Sequence, residues 1–292
     1  TKEGVGTLIL SGVSTYSGDT RIDGGFLKID RSTSTWFGSI LSGPLGKGDI
    51  SIKSGASLDL NGHAIANDLV IAGSGVSNMG AIFNSSGSGS ISGSVLLSGN
   101  AFIGGVGHIN ISGEIDDGPS KTYGLTKVGT NTLTLFARNE YDGSTTINEG
   151  TLSISTGSNL GEVPSRTTSD SIILNGGTLH ISDSLILSSN RSITLRANSS
   201  IEVDPEKTLT YGGVISGTGS LTKEGVGTLI LSGVSTYSGV TTINAGTLVL
   251  SGGTAIADTG VVNLSTSGTY LTLSSSETIG SLTGVSGTTV TL

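Results

Sequence analysis

Three histidines, His63, His108 and His180, are the residues of this 292-residue chain best suited to acid–base or metal chemistry near neutral pH. They lie far apart in sequence. Only His180 has a close carboxylate, Asp183, and three residues along a strand put the two on opposite faces. The expectation for all three is a structural or solvent-facing role. No serine has glycine at both −2 and +2, so the nucleophile elbow is absent. A serine nucleophile would have to be assembled from distant segments.

The paired carboxylates Asp116 and Asp117 raise the chemistry of glycoside hydrolysis, which needs two spaced acids. The supporting motifs are out of order. Gly107-His108-Ile109 precedes the pair, and Arg21-Ile22-Asp23 stands near the start. Asp116-Asp117-Gly118-Pro119 therefore reads as a turn. Glu202-Val203-Asp204-Pro205-Glu206-Lys207 reads as an acidic corner: carboxylate oxygens suit a divalent ion, but no loop motif orders them. With no cysteine, thiolate zinc sites, iron–sulfur clusters, cysteine nucleophiles and disulfide scaffolds are excluded. The expectation is no catalytic residue, no metal and no cofactor.

Loops are the better place to seek function. Three insertions interrupt the chain's rhythm, near 31–49, 116–124 and 156–170. The first holds the single tryptophan, in Thr35-Trp36-Phe37, followed by Pro44. The Trp–Phe pair reads either as a lid over an uneven layer or as an anchor for a partner. Trp36, Phe37 and Pro44 are the candidate partner-binding loop, and the exposure of Trp36 distinguishes the two readings.

Elements that position such loops are visible in composition and repetition. Gly, Ser and Thr number 48, 48 and 38, nearly half the chain, and only 12% of residues are charged. The net charge of −8, from 14 basic and 22 acidic residues, argues against a nucleic-acid partner. No stretch of 18 apolar residues encodes a membrane-spanning helix. The chain opens on Thr1-Lys2-Glu3 inside a repeat, carries no signal-peptide pattern and closes in what reads as mid-strand, so it is expected to be a fragment of something longer.

Residues 1–18, TKEGVGTLILSGVSTYSG, recur letter for letter at 222–239, and a diverged copy begins at Thr126. Within each copy one leucine (Leu8, Leu133, Leu229) precedes another (Leu27, Leu152, Leu248) by 19 residues. Short runs such as Thr7-Leu8-Ile9-Leu10 and Thr247-Leu248-Val249-Leu250 alternate with period two, and Gly-rich corners separate them. No window carries helical apolar spacing. A solenoid of parallel strands follows, with coils of about 19–20 residues and about 14 rungs stacked about 4.8 Å apart. An Ig-like sandwich is the alternative, since two copies lie 96 residues apart.

The repeated string Gly4-x-Gly6-Thr7-Leu8-x-Leu10-Ser11-Gly12, then Tyr16-Ser17-Gly18, Thr20, Ile22-Asp23 and Gly25-x-Leu27, resembles the autotransporter-associated β-strand repeat. That repeat occurs in passenger domains of bacterial type V secretion proteins. The copy near 129–154 departs from it at Asn131 and at Phe136-Ala137. The resemblance implies an all-β, right-handed parallel β-helix with loop insertions. The expected organisation is one continuous β-helix fragment over 1–292, with copies at 1–30, 126–155 and 222–251. It also implies export through periplasm and outer membrane with a C-terminal β-barrel translocator, and display or release at the cell surface.

The function expected from these features is a non-enzymatic adhesin or stalk. Its partners would be a host cell-surface protein, matrix or glycan, and the isolated fragment is expected to be prone to end-to-end self-association. The alternative is a released ligand or toxin acting on host cells; a polysaccharide-active enzyme or protease ranks lower.

Overall fold

The inward leucines and isoleucines stack into ladders, as the 19-residue spacing requires. In the computed structural model, which describes residues 1–292, Leu8 lies opposite Leu27 and Leu229 opposite Leu248, each pair on adjacent parallel strands. The chain is all-β, with parallel strands stacked as a β-solenoid of about 13 turns. Helix is confined to short 3-10 turns such as Val76–Asn78. The chain divides into two compact units, 1–145 with 158–162 and 146–157 with 163–292.

The first unit carries three parallel ladders. One runs through Thr7–Leu10, Gly25–Ile29, Ala56–Asp59, Ile82–Asn84, the long strand Val95–Gly105 and Leu125–Lys127. A second runs through Thr20–Ile22, Ile50–Ile52, Leu69–Gly73 and the start of Val95–Gly105 to Ile115–Asp116. The third links Ala64–Ile65, Ser88–Ile91, His108–Ile111 and Thr132–Leu135. In the second unit, one ladder runs from Thr151–Ile154 through Thr178–Ile181, Ser199–Val203, Leu221–Glu224, Thr241–Ile243 and Val261–Leu264 to Ser281–Gly284. Another runs from Leu185–Leu187 through Thr208–Tyr211, Thr228–Leu231, Thr247–Leu250 and Tyr270–Leu273 to Thr289–Thr291.

Alternation along each strand explains the composition. In Thr228–Leu231 and Thr247–Leu250 the leucines are buried while Thr228, Ile230, Thr247 and Val249 are only partly so. Buried β-branched and leucine side chains then meet their equivalents one rung away, about 4.8 Å along the ladder. The glycine of the Gly-x-Leu motif has a steric cause. Gly246 has φ 67°, and a Cβ there would collide with the carbonyl oxygen of Gly227 on the neighbouring rung. Only glycine fits such a corner.

The insertion at 31–49 folds differently from its surroundings. Ser34–Trp36 and Ser39–Ser42 form an antiparallel hairpin that stands apart from the parallel ladders.

Candidate functional site

The hairpin tip is built on a two-residue turn, Phe37-Gly38, with both residues at positive φ (47° and 80°). Such turns match the twist of paired strands but favour Asn or Gly at both positions. A left-handed conformation at an aromatic residue costs about 1–2 kcal/mol. Burial does not offset that cost, because Phe37 is 93% exposed and Trp36 is 66% exposed. Their rings meet edge to face, with centroids 5.1 Å apart at 85°. A lid packed over an uneven rung would bury these rings, so the lid reading fails on exposure. Pro44 lies elsewhere in character: it is buried with Leu45 and Gly46 at the foot of the hairpin.

Between the hairpin and the adjacent strand starts runs an open groove of about 610 Å³. Thr35, Gly38, Ser39 and Ile40 wall it on the hairpin side. Opposite them a column of residues precedes successive strands. The Ile50 N–H donates to the Asp68 carbonyl, and the Leu69 N–H to the Ser94 carbonyl, so Asp49, Asp68 and Ser94 climb one rung at a time. Asp68 accepts a 2.7 Å hydrogen bond from the Ser94 N–H. The Asp49 carboxylate and the Lys47 ammonium, both lining the groove, have no partner within the protein.

The histidines do not converge. His63 stands 3.8 Å from Asp30, and His108 Nδ1 accepts from the Thr132 N–H at 3.3 Å. No group of three His, Asp or Glu side chains is placed to hold a metal ion. His180 has the partners that sequence spacing conceals. Ser153 Oγ lies 2.8 Å from its Nδ1, and Asp204 Oδ1 lies 2.9 Å from its Nε2. The three come from successive rungs, since Ser153 faces His180 in the ladder and His180 faces Glu202, two residues before Asp204. Asp183 instead pairs with Lys207 at 2.9 Å, which holds its carboxyl below the usual carboxylate range.

A Ser–His–Asp series invites comparison with nucleophilic catalysis. Here Ser153 is only 5% exposed and sits mid-strand in Thr151–Ile154. Nothing in that position resembles the loop or helix N-terminus whose free N–H pairs stabilise an oxyanion. The arrangement does what an outer-face ladder requires: each polar group on the edge finds its partner one rung away.

Asp116 and Asp117 form the expected turn. Asp116 Oδ1 accepts from the Gly118 N–H, and Asp117 accepts from the Tyr123 and Asp142 N–H groups. Partial burial, with Asp117, Glu162 and Asp116 nearby, pushes the Asp142 carboxyl above its ordinary value.

Buried lysines were not anticipated from sequence. Lys2, Lys127 and Lys223 occupy the same place in the three repeat copies and are all buried. Lys2 Nζ donates to the carbonyls of Glu3, Gly4 and Gly24, and Lys223 Nζ to those of Glu224, Gly225 and Ala245. Lys127 Nζ donates to Val128 and Gly129. The signal was present in the alternation: in Leu221-Thr222-Lys223 an outward threonine forces the lysine inward. A second repeated device is Tyr–Thr pairing four residues apart, Tyr16 with Thr20 and Tyr141 with Thr145, each at 2.6 Å, and Tyr237 with Thr241.

Comparison with known proteins adds the family context. The Passenger-associated-transport-repeat model matches residues 1–29, 125–154 and 221–250. The chain is 35% identical over 255 residues to the Adhesin BmaC autotransporter of Brucella suis biovar 1 (strain 1330). That similarity covers 84% of this chain but only 7% of the relative. No solved structure matches.

Proposed function

Proceeding from a chain that is a repeat-bearing segment of an autotransporter passenger, we propose that it is an adhesive, non-catalytic part of that passenger. The observation that carries this reading is the similarity to an autotransporter adhesin over most of the chain. In this account the solenoid is a scaffold, and the loop carrying Trp36 and Phe37 is the contact. The hairpin presents the two rings in edge-to-face contact with each other and open to a partner. Pro44 contributes from beneath by fixing the chain at the hairpin's foot.

A C-terminal β-barrel translocator carries the passenger across the outer membrane, and the segment acts at the cell surface or after release. The absence of cysteine is consistent with passage through an oxidising periplasm without disulfide cross-links. The test uses the purified chain coupled to beads. Beads carrying the chain are expected to adhere to host cells or extracellular matrix above albumin-coated beads. Equal retention of both across cell types and matrix proteins would reduce the segment to a spacer.

A further inference from the structure

We propose that the groove beside the Trp36–Phe37 hairpin is a carbohydrate subsite that takes a short oligosaccharide of neutral or amino sugars. The proposal rests on the adhesive reading and names its ligand class. A volume of about 610 Å³ lies within the range of small-molecule sites, about 300–1,000 Å³. Its walls are polar: the hydroxyls of Thr35, Ser39 and Ser94, the carboxylates of Asp49 and Asp68, and the ammonium of Lys47. An apolar protein side chain would leave these groups desolvated and unpaired, which costs about 1–3 kcal/mol each. A polyol supplies a donor and an acceptor at nearly every carbon, so it matches them.

Two details favour a sugar over other polar ligands. First, the groove's hydrogen-bonding capacity is unspent. Asp49 and Lys47 have no partner within the protein, and Asp68 commits one oxygen to the Ser94 N–H, leaving the other open. A carboxylate accepts from two neighbouring hydroxyls at once. Second, exposed aromatic rings adjoin the groove. Trp36 and Phe37 sit in the chain between its lining residues Thr35 and Gly38, outside the lining itself. The C–H face of a pyranose ring is apolar and stacks on such rings, so a sugar extending past the polar walls would meet them. Charge narrows the class further. Two carboxylates against one ammonium, in a chain of net charge −8, oppose sulfated and carboxylated glycans.

Trp36 is the single tryptophan, so its emission reports on this place alone. The whole chain is titrated with N-acetylglucosamine oligomers and with galactose- and mannose-terminated oligosaccharides, and binding is read in parallel by saturation-transfer NMR. At least one probe is expected to bind saturably, and Asp49→Asn to weaken it about tenfold or more with an unchanged unfolding midpoint. No binding by either readout at millimolar sugar overturns the proposal. Bead adherence to cells stripped of surface glycans separates it from the adhesive reading. Loss of adherence on stripped cells supports both. Undiminished adherence there, with no sugar bound in solution, overturns the sugar subsite and leaves adhesion to a protein. Sugar binding in solution without adherence to any cell supports the subsite and overturns the adhesive role.

Discussion

Lys223 is the residue at which burial and charge conflict most sharply. Burial brings its ammonium down to about 8, against Glu224 and Glu202, which favour the charged form. The folded chain therefore releases this proton near pH 8, whereas the unfolded chain holds it until about 10.4. Between those values the unfolded state binds more protons, so this group's contribution to stability rises with pH. Below pH 8 the lysine is charged in both states and its desolvation cost is present in full. Lys223→Met leaves the carbonyls of Glu224, Gly225 and Ala245 without their donor, and is expected to cost about 3 kcal/mol. Denaturant unfolding of both proteins from pH 7 to 10 checks the sign: the gap should widen with pH, and a gap that narrows contradicts this reading. Sequence reading passed over this lysine, although its inward place follows from strand alternation. His180 is the opposite case. Its partners Ser153 and Asp204 lie 27 and 24 residues away, and only the coil register brings them to it.

At the scale of strands, the duplicated 18 residues occupy two environments. Leu229 is fully buried between Leu209 and Leu248, whereas Leu8 is 42% exposed, because Thr7–Leu10 has a strand neighbour on one side only. Leu229→Ala is expected to cost about 2–5 kcal/mol and Leu8→Ala well under half as much. Equal costs, measured by denaturant unfolding, would mean the two copies are packed alike. Tyr237 behaves similarly: its hydroxyl is bonded to Thr241 and burial pushes it up to about 12. Tyr237→Phe should cost about 1 kcal/mol, and Tyr16→Phe, at the exposed copy, a few tenths; thermal unfolding of the two variants measures the difference. The ladders were legible in the 19-residue leucine spacing, because neighbouring rungs must superpose inward positions. The antiparallel hairpin within 31–49 was not, since Phe37-Gly38 is an unfavourable turn pair and no local propensity points to it. The insertion itself was legible as a break in rhythm. The groove was not, because Asp49, Asp68 and Ser94 meet only through rung stacking.

For the molecule as a whole, sparse charge and abundant Gly, Ser and Thr are what a thin stacked core requires. Each rung contacts its neighbours, so stability accumulates locally and little of the surface is needed to maintain it. In the adhesive role proposed above, the contact falls where the surface departs from the ladder, at the antiparallel hairpin. On the proposed adhesive role, Trp36 and Phe37 make the contact. The measurement that tests it most directly compares the adherence of beads carrying the native chain with beads carrying Trp36→Ala/Phe37→Gly, at equal loading and matched fold. Glycine removes the strain at position 37, so the variant's unfolding midpoint should be unchanged or higher. Adherence is predicted to fall about tenfold or more, the loss expected when an aromatic anchor is removed. Undiminished adherence by the folded variant would contradict the account.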